Sequence, residues 1–141
     1  ARSRAGSLAN LEYIRAEVSE IPVDPPFELI TAFDVVHDLP DPLVGLTRIR
    51  DALSPNGQFL MMEPNVNSRL EENIGDDRAA LMYGVSALHC MTQSLAAGGP
   101  GLGSAWGRER AEELAGEAGF SSFQPLDAIS NRFSSFYLLQ R

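Results

Sequence analysis

Cysteine is nearly absent from this chain of 141 residues, because Cys90 is the only one. A single cysteine cannot form a disulfide within the chain, so we expect a protein of a reducing compartment, the cytoplasm. No apolar run approaches the roughly 20 residues that a membrane-spanning helix needs, so we expect no membrane partner. The chain also begins with Ala1 rather than methionine, which we interpret as the mark of a fragment or a processed chain.

Positive charge is scarce as well, because 11 lysine and arginine residues face 19 acidic ones and leave a net charge of −8. Phosphate contacts require clustered basic side chains, so this balance argues against direct nucleic-acid binding by this segment. The apolar share of 44% and the charged share of 21% are those of a globular protein. The length fits one domain with a hydrophobic core.

Apolar runs and helical repeats alternate along the chain and predict an α/β fold. Phe27–Phe33 is rich in β-branched and aromatic residues and predicts a strand, and the apolar residues 58–62 predict a buried one. Between these two strands we predict a helix, because Asp41 suits the N-cap and Pro42 the first helical position. Residues 54–57 form a turn that ends this helix. Two strands joined by a helix in this way form a right-handed, parallel βαβ unit.

The second half of the chain predicts a long interruption, then a helix and two strands. Residues 78–95 are predicted to form a helix and residues 96–107 a loop, because five glycines and one proline fall there. A loop of this length is a lid, a binding loop or disordered. A helix is expected at 108–118, before Gly119, and strands at 123–126 and 133–139. We interpret residues 1–141 as one domain portion with a helical and glycine-rich insertion at about 65–107.

Four short segments occur in an order that is typical of one protein family. They are Tyr-Ile-Arg-Ala-Glu-Val at 13–18, Phe-Asp-Val-Val-His-Asp at 33–38, Leu-Ser-Pro-Asn-Gly at 53–57 and Met-Glu-Pro at 62–64. Their order and spacing resemble the C-terminal part of class I S-adenosylmethionine-dependent methyltransferases. Residues 88–95, with the glycine-rich loop, resemble a bacterial subgroup in which a winged-helix dimerisation domain precedes the methyltransferase domain.

The resemblance implies a partial Rossmann-like sheet with helices on both faces. It would contain strands three to seven of the order 3-2-1-4-5-7-6, with residues 11–14 as the third strand. The family's first motif, a glycine-rich turn between a strand and a helix, has no counterpart here, because no strand leads into the glycines of residues 99–103. Without strands one and two, we expect an unpaired apolar edge on the fourth strand and residues 11–14 outside the main sheet.

The resemblance also implies S-adenosylmethionine as the cofactor and a small molecule as the methyl acceptor. Glu17 takes the place of the acid that accepts a hydrogen bond from the adenine amine, and Val18 would offer its backbone N–H to the ring. Phe33 and Asp34 begin the segment that lines the methionine end of the cofactor and opens onto the acceptor pocket.

His37 and Glu63 are the candidate catalytic residues. A histidine titrates near neutral pH, so His37 is the first candidate for the general base of an acceptor that must lose a proton. Glu63 is the second, because ligands of open α/β sheets bind at the carboxyl ends of the strands. Alternatively, His37 caps a helix or pairs with a nearby aspartate, and Glu63 is a solvated loop carboxylate. No metal is expected, because His37 and the nearby acidic residues lack the tight spacing of metal ligands.

The function that the resemblance implies is S-adenosylmethionine-dependent methyl transfer. The missing glycine-rich turn leaves a second interpretation open: a non-catalytic, degenerate module that acts in oligomerisation, for instance as a homodimer, or in ligand sensing. Half of a nicotinamide dehydrogenase is a weaker third interpretation, because its diagnostic first βαβ unit is missing too. Tyr83 and Trp106 either form an aromatic wall over an acceptor or pack within the insertion.

Overall fold

Four strands and four α-helices form the regular part of residues 8–141, which the computed structural model describes. Residues 1–7, with the basic residues Arg2 and Arg4, lie outside the described part. The strands are β1 (Phe27–Phe33), β2 (Leu53–Pro64), β3 (Ser122–Pro125) and β4 (Ser134–Gln140). The α-helices are α1 (Pro42–Ala52), α2 (Asp77–Val85), α3 (Met91–Ala96) and α4 (Gly107–Glu117). Three 3₁₀ turns (Val18–Glu20, Val36–Asp38, Leu70–Asn73) and a π-helical turn (Ser86–Cys90) complete them.

The strands form one mixed sheet in the order β1-β2-β4-β3. β1 and β2 are parallel, with Phe33 beside Met62, whereas β4 is antiparallel to both β2 and β3. This is the order expected for the fourth, fifth, seventh and sixth strands, so the partial Rossmann-like α/β sheet is confirmed. β2 is longer than predicted because Leu53 already pairs with Phe27, before residues 54–57 shift the register.

Helix α1 begins where the sequence predicts. The Asp41 carboxylate accepts a hydrogen bond from the backbone N–H of Val44 at 2.9 Å, and Pro42 occupies the first turn. The carboxylate satisfies one of the free N–H groups of the helix end, and proline has none to satisfy there. Helix α4 ends before Gly119, which adopts a φ of +87° in the left-handed region.

The core lies on one face of the sheet. Alternate residues of β2 and β4 are buried there, under α1 and α4. The buried members are Phe59, Met61, Tyr137 and Leu139. On the other face Leu29 and Phe33 are 57% and 49% exposed. Helix α3 packs on the Val36–Asp38 turn.

The third strand of the expected sheet does not form within the described residues, because residues 11–14 adopt no strand. The two strands that would separate this run from β1 have no counterpart in residues 8–141. Ile14 instead helps to line an apolar cavity of ≈ 300 Å³ with Ile21 and Leu29, beside the free edge of β1. Association at that edge, as a homodimer, stays a prediction.

The region between β2 and α4 is predominantly helical. The helix predicted at 78–95 is present as α2 and α3, joined by the π-helical turn. The buried Ser94 connects this region to the rest, because its hydroxyl donates to the Leu39 carbonyl and accepts from the Gly101 N–H, both at 3.2 Å. Its interpretation as an insertion in one domain stays a prediction. No helix of residues 8–141 has both the length and the apolar character needed to span a membrane.

Replacing Leu46 by alanine should lower the free energy of unfolding by about 2–5 kcal/mol, because truncating a core side chain leaves a cavity. Leu46 is fully buried, whereas Val44 on the same helix is 47% exposed. Val44→Ala is the matched control and should stay within about 0.5 kcal/mol of the wild type. Denaturant unfolding followed by circular dichroism measures both variants. Equal losses of stability would contradict this placement of the core.

Candidate active site

The carboxyl ends of β1 and β2 lie side by side and bring the candidate catalytic residues together. After β1 the chain turns through Asp34, whose φ of +56° lies in the left-handed region. The Asp34 N–H donates to the Met62 carbonyl at 2.9 Å, which holds the turn against β2. Glu63 follows Met62 directly. The next turn, Val36–Asp38, therefore places His37 beside Glu63.

Glu63 is a buried carboxylate, 1% exposed, that accepts three hydrogen bonds. Its Oε1 accepts from the backbone N–H of Val36 at 3.0 Å. Its Oε2 accepts from His37 Nδ1 at 2.5 Å and from Trp106 Nε1 at 3.1 Å. A carboxylate is buried at acceptable cost only when such donors replace water. The alternative interpretation of Glu63 as a solvated loop carboxylate is therefore wrong.

His37 is 3% exposed and has acids at both ring nitrogens. Its Nε2 lies 3.4 Å from Asp38 Oδ1, on the opposite edge of the ring from Glu63. Burial lowers the pKa of His37, but the hydrogen bond and charge of Glu63, with the charges of Asp38 and Asp34, raise it by more, so the pKa lies above its ordinary value. Because Nδ1 donates to Glu63, Nε2 is the nitrogen that can take a proton from another molecule.

The buried Cys90 adjoins the same cluster. Burial raises the pKa of its thiol, and the nearby Asp38 carboxylate raises it further. Ligand atoms of His37, Asp38 and Cys90 lie within 4.8 Å of one another, as do those of Asp34, His37 and Glu63. We assign no metal to these groups, because His37 and Glu63 already satisfy each other. The expected absence of a metal stays a prediction.

The expected adenine-side residues lie where the chain approaches α1. Glu17 is exposed and precedes the Val18–Glu20 turn, while Val18 is half-buried against the core. Both line a cavity of ≈ 150 Å³ together with residues 39–41 and 44–45. The Arg48 Nε donates to the Ile21 carbonyl at 2.8 Å and so ties this segment to α1 in the absence of a third strand.

Phe33 and Asp34, the residues expected at the methionine end of the cofactor, lie at the end of β1 and are exposed. Phe33 packs edge-on against Phe136, with 6.3 Å between the ring centroids. Neither residue lines the cavity that contains Glu17. The structure therefore joins His37 to Glu63 but distributes the four expected cofactor residues over two places.

Trp106 is the member of the site that the sequence did not connect with the catalytic pair. Two interpretations were open for it, and neither involved Glu63. Its position as the only tryptophan, at the end of the glycine-rich segment, was the one available signal. The hydrogen bond to Glu63 shows that Trp106 contacts the His37–Glu63 pair as well as packing beneath the surface.

The sheet, with a buried His–Glu pair at the carboxyl ends of its parallel strands, defines the chain as part of a Rossmann-like α/β protein. The sequence profile of a methyltransferase domain matches residues 3–133. The chain belongs to this family of methyltransferase domains, which excludes the dehydrogenase interpretation. No curated protein matches the chain in sequence.

Solved methyltransferase structures share the fold. A proposed O-methyltransferase from Nostoc punctiforme is 20% identical over 91% of this chain, with a TM-score of 0.63. The methyltransferase CalH, in complex with SAH, is 21% identical over 99%, with a TM-score of 0.64. Human N-acetylserotonin methyltransferase, in complex with SAM, is 19% identical over 91%, with a TM-score of 0.58. The chain spans 36%, 38% and 33% of these proteins, about a third of each. Identities this low establish the fold alone.

Replacing His37 by glutamine should change how stability depends on pH. The folded-state pKa of His37 lies above its value in the unfolded chain, so the protonated ring stabilises the fold. This contribution is fully present below the unfolded pKa of about 6.5 and is lost as the pH rises through the folded pKa. The difference in free energy of unfolding between wild type and His37→Gln should therefore shrink from mildly acidic to alkaline solution.

Denaturant unfolding at a series of pH values measures this difference. His89 is exposed and lies outside the cluster, so His89→Gln is the matched control for replacing a histidine by glutamine. A difference between wild type and His37→Gln that is the same at every pH would contradict the raised pKa.

Proposed function

We propose that this chain carries the acceptor side of an S-adenosylmethionine-dependent methyltransferase, in which His37 is the general base for a hydroxyl group of a small molecule. Membership of the methyltransferase domain family supports methyl transfer. The buried His37–Glu63 pair at the carboxyl ends of β1 and β2 carries the choice of base. Open α/β sheets bind their ligands at this edge.

The residues of the chain fit part of the cofactor. Glu17 and Val18 border a cavity suited to the adenine side, and Phe33 and Asp34 are exposed at the strand end where the methionine side would lie. The glycine-rich turn and the acid that would accept from the ribose hydroxyls have no counterpart in residues 8–141. These residues therefore supply the adenine and acceptor sides of a cofactor site but not its ribose side.

S-adenosylmethionine, when bound, supplies a methyl group on a positively charged sulfur. Neutral His37 would take the hydroxyl proton of the acceptor on Nε2 and so make the acceptor oxygen nucleophilic. Glu63 keeps Nδ1 protonated and stabilises the imidazolium that results. Burial of the pair keeps competing water away from the base.

Isothermal titration of the chain with S-adenosylmethionine or S-adenosylhomocysteine should show saturable binding. Glu17→Ala should weaken it by up to about tenfold, the cost of one lost hydrogen bond. Glu20→Ala removes a neighbouring exposed carboxylate that does not line the Glu17 cavity, so it is the matched control. A folded chain that binds neither molecule would contradict the cofactor site and would favour the non-catalytic module.

His37→Gln should lower the rate of methyl transfer by about 10²–10⁴-fold, because the base acts in the transition state. Its affinity for S-adenosylhomocysteine should change little. Transfer of labelled methyl groups to a series of small phenols measures the rate. In the wild type the rate should fall as the pH drops through the raised pKa of His37, because the base becomes protonated.

His89→Gln should leave both the rate and its pH profile unchanged, since His89 is exposed and takes no part in the cluster. A His37→Gln variant with the rate of the wild type would contradict the base assignment, whatever the outcome of the binding experiment.

A further inference from the structure

Trp106 contacts the catalytic pair from outside the two strands that carry it. The indole is 4% exposed, and its Nε1–H donates to Glu63 Oε2 at 3.1 Å. The same oxygen accepts from His37 Nδ1. Within residues 8–141, Oε2 therefore has two donors, one from the turn after β1 and one from the residue before α4.

The glycine-rich segment 98–107, which carries Trp106, follows a closely packed path. Gly103 has a φ of +69°, and a Cβ atom there would lie 1.9 Å from Ser86 Oγ. Gly107, directly after the tryptophan, has a φ of +75°, and a Cβ atom there would lie 2.3 Å from the Ser68 backbone nitrogen. The left-handed φ favours glycine at both positions, and at Gly107 a side chain would also collide with backbone. The backbone of this segment is therefore closely packed on both sides of Trp106, and this packing holds the indole in position.

An indole N–H is a donor only and does not titrate in the way that a histidine or carboxyl group does. Trp106 can therefore hold Oε2 of Glu63 by a hydrogen bond without exchanging a proton with it. An ionised Glu63 can accept a hydrogen bond from His37 only while Nδ1 carries the hydrogen. The neutral ring then has its free lone pair on Nε2.

The other groups that face the trio do not replace this donor. Asp34 and Asp38 lie near His37 and belong to the same segment of the chain. Cys90, in the π-helical turn, lies near Asp38. Tyr137, on β4, lies near Glu63. The two aspartates are acceptors and cannot donate to Glu63 when ionised. Among the described residues, the indole is the one neutral donor that shares Oε2 with His37.

We propose that Trp106 is a positioning residue for His37: its indole N–H holds the Glu63 carboxylate in place as the acceptor for Nδ1, and so keeps the neutral His37 ring protonated on Nδ1 and basic at Nε2. The proposal rests on the proposed base role of His37. It concerns the tautomer of the free chain, however, which is measured without cofactor or acceptor. Its failure is therefore distinguishable from a failure of methyl transfer or of cofactor binding.

The ¹⁵N chemical shifts of the ring nitrogens, measured by NMR on the chain with ¹⁵N-labelled histidine, report the tautomer of His37 and test the proposal directly. The chain has two histidines, and the exposed His89 serves as an internal reference that His89→Gln assigns. Trp106→Phe removes the N–H and keeps an aromatic ring. Neutral His37 should change from the Nδ1–H tautomer to a mixture of tautomers. The signals of the exposed His89 should stay unchanged.

Tyr83→Phe is the matched control. It removes a hydrogen bond of 2.9 Å between Asn73 and the Tyr83 hydroxyl, in the same region of the chain, without touching Glu63. The tautomer and pKa of His37 should stay at their wild-type values in this variant. A folded Trp106→Phe variant whose His37 signals match those of the wild type would overturn the proposal.

A second measurement uses the wild-type chain and tests the proposal even if the Trp106→Phe variant does not fold. The single tryptophan gives one indole N–H signal. If the indole donates to Oε2, this signal should shift with the same pH midpoint as His37 in the wild-type chain. An indole signal that stays constant through the titration of His37 would overturn the proposal.

Discussion

The hydrogen bond between His37 and Glu63 is the constraint on which the site depends. Glu63 comes from β2 and His37 from the turn after β1, so the bond forms only when the two parallel strands pair in the observed register. A carboxylate that is 1% exposed requires such donors, and its burial therefore fixes the turn as well as the strand. The connection before α4 supplies the third donor. Sheet register, turn and glycine-rich segment converge on one side chain.

The two faces of the sheet differ in what they support. One face, under α1 and α4, holds the hydrophobic core. The other exposes Leu29 and Phe33, and β1 has a free edge. That edge lies on the side where the expected strand order places strands one to three. The chain spans about a third of the similar structures.

Elements defined by local patterns were predictable. The strand Phe27–Phe33 and the helix that starts at Pro42 follow from β-branched residues, an Asp cap and proline at the first turn. Residues 11–14 have a similar β-prone composition but form no strand, so composition alone does not decide whether a run joins the sheet. The helices of residues 77–96 were predicted from composition, but their packing away from the sheet was not, since it depends on contacts with the Val36–Asp38 turn.

The sequence by itself determined the α/β class, the β1-α1-β2 unit and the candidacy of His37 and Glu63. Periodicity, capping and motif order are carried by residues close together in the chain, and each of these features follows from them. Only the tertiary structure decided that Glu63 is buried, that it engages Nδ1 of His37 and that Trp106 shares the same oxygen. These contacts join residues that are far apart in the sequence, and contacts between such residues produce no periodic or local sequence pattern from which they could be predicted.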